Sequence, residues 1–358
     1  MHGGPRARTI PAGPVGDGHV ANNTDQQGPR PPDLVGEDAL AASETLRDRA
    51  VGALLGCAVG DAIGELAFTH ASKDRLQAAV ARAQHLVYTD DTAMAIAVAN
   101  ALVEDGLIHA QALGDRFARG FQLEPWRGYG PGPPAIFKTV AETGRAYEEV
   151  ARELYGGEGS LGNGAAMRAA PLGVAYRDTE RLPAACDTAS AVTHAHPVGR
   201  DAALLVARAV GQAIEAAIEG RRIRPHALAQ HLTDGCRSEE MRHKMQAVTD
   251  YLEAGAQAEA VADAVGRSVS APESVPFAVY AFLATPDDFE ACLDTAALHG
   301  GDRDTLAAMA GSIAGAYLGE PAIPAPWRSR IEHRCQLREL ARRLADAFPD
   351  SARAAAAQ

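Results

Sequence analysis

Two segments of the sequence place paired carboxylates at the start of an apolar stretch. The first, "TDDT", contains Thr89, Asp90, Asp91 and Thr92 and runs into an alanine-rich apolar segment. Threonine and aspartate side chains accept hydrogen bonds from the free N–H groups of a first helical turn, and negative charge there suits the helix dipole. One carboxylate is enough for that purpose, and two adjacent ones repel each other. Taken alone, this segment favours helix capping over a cation site.

The second segment, "HGGDRDT", contains Asp302, Asp304 and Thr305 after a pair of glycines that permit a tight backbone. Together the two segments supply four carboxylates, which would repel strongly if they were buried without a cation. Oxygen ligands of this kind select Mg²⁺ or Mn²⁺ over Zn²⁺, and two such ions form a known clamp for activating water. The two segments could instead cap separate helices that never meet, but their parallel form favours a shared metal site.

A glycine-rich loop precedes the predicted helix "GAAMRAAPLGV". Its residues are Gly159, Ser160, Leu161, Gly162 and Asn163. Such a loop offers free N–H groups to an anion, typically a phosphate. The spacing matches neither a Walker A motif nor a dinucleotide fingerprint, and a plain connection between helices fits the pattern equally well.

Two other segments carry side chains that could bind a ligand. "THAHPVG" contains His194 and His196 beside a predicted helix start, where a histidine is more often a satisfied polar residue than a catalyst. "EPWRGYGPG" contains Trp126 and Tyr129, which could line a ring-shaped ligand, although a packed loop is the simpler interpretation.

The elements that must position these residues are predicted to be helices. Apolar residues recur at helical spacing from about Thr45, whereas strand-type alternation is scarce and aromatic residues make up 5% of the chain. We expect an all-α fold, as a single compact domain of orthogonal helices over residues 43–350. Residues 1–42 are predicted to be a disordered tail and residues 351–358 a frayed end.

Composition narrows the possible functions. A net charge of −12 argues against nucleic-acid binding, which needs a basic surface. The five cysteines are scattered without a CxxC pair, which is typical of a reducing cytoplasm. The N-terminus lacks the apolar segment of a secretory signal, and no run is predicted to be apolar enough to span a membrane. A cytoplasmic monomer that binds neither membranes nor specific nucleic-acid sequences is expected.

The order of several blocks resembles the ADP-ribosylhydrolases, also called ADP-ribosylglycohydrolases. The matching blocks are "GALLGCAVGDAIG", "YTDDTAMA", "RGYGPG", "GEGSLGNGAAMR", "THAHPVG", "ESVPFAVYAFL" and "LHGGDRDTLAAMAGSIAGAYLG". Three of them, "RGYGPG", "GEGSLGNGAAMR" and "ESVP", are similar to the branch that removes ADP-ribose from serine.

The resemblance implies an all-α fold with two Mg²⁺ or Mn²⁺ ions in a central cleft. The implied metal ligands are Thr89, Asp90, Asp91, Asp302, Asp304 and Thr305. Asp90, Asp91 and Asp304 are implied in catalysis, and Asp304 could bridge the ions. The loop from Gly159 to Asn163 would hold the diphosphate and its ribose, and Tyr155 would lie against the adenine. His194 would touch the distal part of the ligand, and Gly130 would also contact the substrate.

One position departs from the family pattern. Family members usually carry a glutamate seven residues after the aspartate of their "GD" pair, on a flap that approaches metal and substrate. Here that position is Phe68, and the nearest acid is Glu65. Either Glu65 takes over this catalytic role from one turn earlier, or the role is lost.

The expected function is metal-dependent hydrolysis of the bond between C1″ of ADP-ribose and an acceptor, with protein serine favoured. The expected partners are ADP-ribose and ADP-ribosylated proteins. The alternatives are an arginine-linked or O-acetyl-ADP-ribose substrate, and a homologue that binds ADP-ribose without cleaving it.

Overall fold

Helices make up the secondary structure of the part of the chain that is described. The computed structural model describes residues 32–177 and 179–349. Its seventeen α-helices are α1 (Pro32–Thr69), α2 (Lys73–Arg82), α3 (Asp90–Asp105), α4 (Ala110–Leu123), α5 (Gly132–Thr143), α6 (Tyr147–Gly157), α7 (Ala170–Tyr176), α8 (Leu182–Ala191), α9 (Pro197–Ile218), α10 (Pro225–Asp234), α11 (Glu239–Glu253), α12 (Ala258–Val265), α13 (Ala271–Ala284), α14 (Phe289–His299), α15 (Arg303–Leu318), α16 (Ala325–Arg330) and α17 (Arg334–Ala347). Two 3₁₀ turns, Asn163–Ala165 and Glu320–Ala322, complete this list, and within the described ranges β-pairing is limited to isolated bridges. The all-α prediction is confirmed.

The ends of the chain test the predicted boundaries only in part. Helix α1 begins at Pro32, inside the segment predicted to be a tail. Residues 1–31 and 351–358 lie outside the described residues, so disorder there stays a prediction. The described residues from Leu40 onward form one compact unit.

Helix α15 is the central helix of the compact unit. Every residue from Thr305 to Ala316 is buried, and the helix packs against α9, α13 and α14. These residues are mostly alanine and glycine, whose small side chains allow close helix packing. The acidic residues at the start of α15 are thereby fixed to a deeply buried helix.

Helices α1 and α15 approach each other with no side chain between their backbones. From Gly52 to Gly64 a glycine occurs at every fourth position of α1, and each of these four faces the backbone of α15. The four contacts pair Gly52 with Gly315, Gly56 with Gly311, Gly60 with Ala307, and Gly64 with Arg303. A Cβ atom placed on Gly60 would lie 2.0 Å from the carbonyl oxygen of Ala307. Because the helices run antiparallel, the end of α1 lies against the start of α15, where Asp302 and Asp304 stand.

This close approach makes Gly60 intolerant of even one methyl group. In a free helix, Gly→Ala stabilises by about 1 kcal/mol. In Gly60→Ala, overpacking against a backbone oxygen should outweigh that gain and lower the free energy of unfolding by about 1–3 kcal/mol. Chemical denaturation would measure the change. Gly120→Ala is the matched control, because the nearest atom to a Cβ there is the Tyr129 hydroxyl at 3.8 Å. If Gly60→Ala and Gly120→Ala changed the free energy of unfolding equally, the close contact between Gly60 and Ala307 would be contradicted.

One helix meets the length and composition of a membrane span. Within the described residues it is the Leu40–Thr69 part of α1. The sequence prediction that no run is long and apolar enough was therefore wrong by that criterion. However, 83% of the apolar window is buried inside the protein, as expected for a core helix.

Candidate active site

Asp61 of helix α1 is hydrogen-bonded to the first acidic segment. Its carboxylate is fully buried and accepts hydrogen bonds from the backbone N–H groups of Thr89 and Thr92, at 2.9 and 3.1 Å. The hydroxyls of the same two threonines also donate to it, at 2.8 and 2.6 Å. Asp61 thus caps helix α3 from another helix, the role usually filled by the residue that precedes a helix.

The interpretation of the two acidic segments as helix caps is therefore wrong for Thr89 and Asp302, the residues that precede the two helices. Neither Thr89 before α3 nor Asp302 before α15 makes a side-chain cap bond to its own helix. Sequence analysis noted Asp61 only as part of a "GD" pair and gave it no role. A single aspartate in an apolar helix does not reveal which segment it will contact.

With Asp61 as the cap, the carboxylates of the first segment are left for other contacts. Asp91 is 1% exposed, and its Oδ2 lies 3.0 Å from the Thr89 hydroxyl oxygen, whose single proton is shared with Asp61. Its Oδ1 is buried and has no hydrogen-bond partner among the described residues. The Asp90 backbone N–H donates to the Arg127 carbonyl at 2.7 Å, which ties the start of α3 to the "RGYGPG" loop. An unpartnered buried carboxylate oxygen is costly unless a cation or a proton occupies it.

The second acidic segment is held by a loop and by the glycine-rich segment. The backbone N–H groups of Gly301 and Asp302 both donate to the Arg267 carbonyl at 3.0 Å. The Asn163 amide donates to Asp302 Oδ2 at 2.6 Å. Asp304 Oδ1 accepts from the Thr305 N–H at 2.9 Å. The glycine-rich loop and the start of α15 are thus in direct contact.

One cavity, of about 270 Å³, brings most of the predicted residues together. The predicted residues that line it are Asp90, Asp91, Asp302, Asp304, Thr305, Gly130, Tyr155, Ser160, Gly162, Asn163 and His194. Both acidic segments and the glycine-rich loop therefore face the same space.

Four predicted residues do not line this cavity. Thr89 lies behind it, bound to Asp61 and Asp91. Leu161 is half-buried. Gly159 has a φ of +76°, and a Cβ there would lie 2.7 Å from that of Ala195. Glu65 is exposed, yet its charge is among those that raise the pKa of Asp304, which places it near the acidic end.

The four aspartates share an environment that disfavours negative charge. Burial, and then the charges of Asp61 and Asp304, raise the pKa of Asp90 to about 7. Burial and the Asp302 charge raise the pKa of Asp304 to about 7. The pKa of Asp91 is raised well above its usual value by burial and by the neighbouring carboxylates, and burial raises that of Asp302. A cation among them would relieve both effects.

The carboxylates are not already gathered around one point. Among the described residues, no three His, Cys, Asp or Glu side chains form a group that could hold a metal ion as they stand. The metal site therefore stays a prediction, and the cavity supplies its candidate ligands.

The backbone of the glycine-rich loop is partly engaged within the protein. The Gly162 N–H donates to the Ser160 hydroxyl at 3.2 Å, and the Asn163 N–H donates to the Val269 carbonyl at 3.0 Å. The N–H groups of Ser160 and Leu161 have no hydrogen-bond partner among the described residues. An anion at this loop would therefore accept hydrogen bonds from at most two free N–H groups, and not from all five N–H groups of the loop.

Two exposed apolar side chains stand at the cavity. Tyr155 is 61% exposed and has a left-handed backbone, with a φ of 55°, where helix α6 is interrupted. Val269 is 65% exposed and lines the same cavity. Sequence analysis missed Val269, because nothing in a short loop before α13 marks one valine as exposed. Trp126 and Tyr129 do not line the cavity, and Tyr129 packs edge-on against Phe121 at 5.2 Å.

A larger cavity, of about 530 Å³, lies between helices α3 and α17. It is mostly apolar and is lined by Tyr88, Ile96, Leu337 and Leu340, among others. It contains none of the four aspartates, so the smaller cavity is the better candidate for chemistry.

Comparison with known proteins gives the family. The sequence profile described as ADP-ribosylglycohydrolase matches residues 42–354. ADP-ribosylhydrolase ARH3 of Bos taurus is 34% identical over 284 residues, which cover 70% of this chain and 76% of that protein. ADP-ribosylhydrolase ARH3 of Homo sapiens is 31% identical over 324 residues, which cover 78% and 88% of the two chains.

A solved structure agrees with these matches. It is described as an ADP-ribosylglycohydrolase-related protein complex and superimposes with a TM-score of 0.64 at 26% identity, covering 86% of this chain and 100% of that one. The chain belongs to the ADP-ribosylglycohydrolase family. The predictions of that family and of an ADP-ribosylhydrolase enzyme are confirmed.

Proposed function

We propose that the protein is a divalent-metal-dependent hydrolase that removes ADP-ribose from serine side chains of proteins. The observation that carries this proposal is the convergence of four aspartates, from the starts of α3 and α15, on one cavity that the glycine-rich loop also lines. The similarity of three sequence blocks to the serine branch supports the choice of acceptor.

The residues present fit Mg²⁺ or Mn²⁺. All the side chains offered are carboxylates and hydroxyls, which hard divalent ions prefer. The unpartnered Oδ1 of Asp91 and the raised pKa of all four aspartates indicate a site that is short of positive charge. The ions would be held by Asp90, Asp91, Asp302, Asp304 and Thr305, which line the cavity, whereas the predicted ligand Thr89 does not line it. When bound, they would supply Lewis-acid activation of water.

Other residues that line the cavity have features suited to the rest of ADP-ribose. The free N–H group of Ser160, which lines the cavity, would bind the diphosphate. The exposed side chains of Tyr155 and Val269 would contact the adenine ring. This arrangement directs the distal ribose toward the aspartates, where its bond to the acceptor is cleaved.

The protein's own carboxylates would assist cleavage in two ways. Positive charge develops on the distal ribose as the glycosidic bond breaks, and the aspartates that line the cavity would stabilise it. One carboxylate would also move the proton between the attacking water and the leaving oxygen. Glu65 is our candidate for that transfer, because its charge acts on Asp304, although its side chain does not line the cavity.

The test is release of ADP-ribose from matched peptides that carry it on serine or on arginine, with Mg²⁺ or Mn²⁺ and with a chelator. We expect faster release from the serine-linked peptide, and loss of release when the chelator is present. Faster release from the arginine-linked peptide would show that the preferred acceptor is arginine and not serine. Release that the chelator leaves unchanged would contradict metal dependence.

A further inference from the structure

A buried arginine stands behind the cavity without a carboxylate partner. Arg168 is 1% exposed, and among the described residues no acidic side chain lies within ion-pair distance of it. Its guanidinium lies over the Phe117 ring at 4.5 Å and donates to the Ala189 carbonyl at 3.0 Å. It also donates a hydrogen bond to the Thr193 hydroxyl oxygen at 2.8 Å. Burying a guanidinium without a carboxylate partner costs free energy, which indicates that its contacts serve a function.

The contact with Thr193 determines which way the threonine hydroxyl points. Arginine can only donate, so the Thr193 oxygen accepts from it. The same oxygen lies 2.7 Å from His194 Nδ1, and the hydroxyl has no other acceptor among the described residues. The Thr193 O–H therefore donates to Nδ1, and an imidazole that accepts at Nδ1 carries its proton on Nε2.

The Nε2 atom of His194 lies on the cavity side of the ring. His194 lines the cavity, and its ring is in close contact with the glycine-rich loop. A Cβ atom on Gly164 would lie 2.9 Å from Nε2, and one on Gly162 would lie 3.4 Å from it. Burial, together with the nearby charge of Arg168, lowers the pKa of His194 to about 3, so the ring is neutral.

We propose that Arg168 is a positioning residue that acts through Thr193 to hold His194 as its Nε2–H tautomer. His194 then presents one fixed donor to the cavity, which suits an acceptor oxygen of the ligand and not a donor group. That the ligand is ADP-ribose rests on the proposed function, whereas the tautomer rests on the contacts of Arg168, Thr193 and His194 alone.

The tautomer can be measured by ¹⁵N NMR of the histidine rings in the ligand-free protein, with His194→Asn used to assign the signal. We expect an unprotonated Nδ1 and a protonated Nε2 in the unmodified protein. In Thr193→Val, which removes the hydroxyl and keeps the branched shape, both tautomers should appear. ADP-ribose affinity, measured by calorimetry, should then fall by about 3- to 10-fold, the effect of one hydrogen bond.

Two further variants separate this role from general damage. Thr193→Ser keeps the hydroxyl and should restore the Nε2–H tautomer and most of the affinity. Thr188→Val makes the same change in helix α8, where the hydroxyl bonds only the Ala184 carbonyl, and should leave the His194 signals unchanged.

Two results would overturn the proposal. One is a protonated Nδ1 on His194 in the unmodified protein. The other is a Thr193→Val variant that keeps both the tautomer and the affinity. Failure of the unmodified protein to bind ADP-ribose would instead contradict the proposed function, because the tautomer is measured without ligand.

Discussion

Replacing Asp304 with alanine should abolish both the hydrolysis of ADP-ribose linkages and the stabilisation of the protein by Mg²⁺ or Mn²⁺. Asp304 is the acidic residue of the first turn of α15 and faces the same cavity as Asp90 and Asp91. Lewis-acid stabilisation contributes several kcal/mol to a transition state, so its loss should lower turnover by about a thousandfold or more. A ligand that binds only the folded state raises the melting temperature, and this rise should disappear with the site.

The melting temperature separates this loss from unfolding. In a chelator, Asp304→Ala should melt no lower than the unmodified protein, because it removes one of several buried carboxylates that repel each other. Asp234→Ala changes an exposed aspartate in helix α10 and should keep the full response to divalent ions. If titrated Mg²⁺ or Mn²⁺ leaves the melting temperature of the unmodified protein unchanged, the proposal of a metal site is contradicted.

Glu65→Gln should lower turnover by about 100- to 10,000-fold while ADP-ribose binding is kept, which is the effect of losing a general acid or base. Glu65 is exposed and does not line the cavity, but its position is fixed by its neighbour. A Cβ on Gly64 would lie 2.5 Å from the Asp304 Cα. Glu65 therefore extends from the backbone contact at the acidic end. Its carboxylate must reach the attacking water or the leaving oxygen, directly or through one water molecule.

A second substitution tests whether position 68 can supply the same group. Phe68 is 46% exposed and occupies the position where family members usually carry a glutamate. In the Glu65→Gln background, Phe68→Glu should recover part of the lost turnover. Glu44→Gln makes the same change elsewhere on α1, at a residue paired with Arg47, and should leave turnover unaffected. Near-normal turnover in Glu65→Gln would show that hydrolysis proceeds without this acid.

The sequence predicts the part of the site where two patterns repeat, and it does not predict a contact made by one isolated residue. The parallel form of the two acidic segments predicted that they would face one space, and they do. Asp61 carried no such repeat, and its four hydrogen bonds to Thr89 and Thr92 depend on how α1 packs against α3. Local spacing does not encode contacts between residues that are distant in sequence.

The glycine-rich loop shows a second kind of limit. Its composition indicated a run of free N–H groups, but hydrogen bonds within the protein use three of them, those of Gly159, Gly162 and Asn163. The Asn163 N–H pairs with Val269, a residue more than a hundred positions away. Helix type was easier to predict, because alanine-rich periodicity is local, whereas the start of α1 at Pro32 was missed because glycine and proline dominate the preceding residues.

The glycine contacts between α1 and α15 have a consequence for how the active site can vary. Because the two backbones touch at four successive turns, a change of side-chain rotamer cannot alter the distance between the backbones at Asp61 and Asp304. Only sliding one helix along the other could do so. The contacts repeat every four residues, so the next matching arrangement lies about one helical turn away, at roughly 5–6 Å. Intermediate positions would bring carbonyl oxygens against Cβ atoms. The backbone spacing between Asp304 and Asp61, which caps the first acidic segment, therefore has discrete permitted values rather than a continuous range.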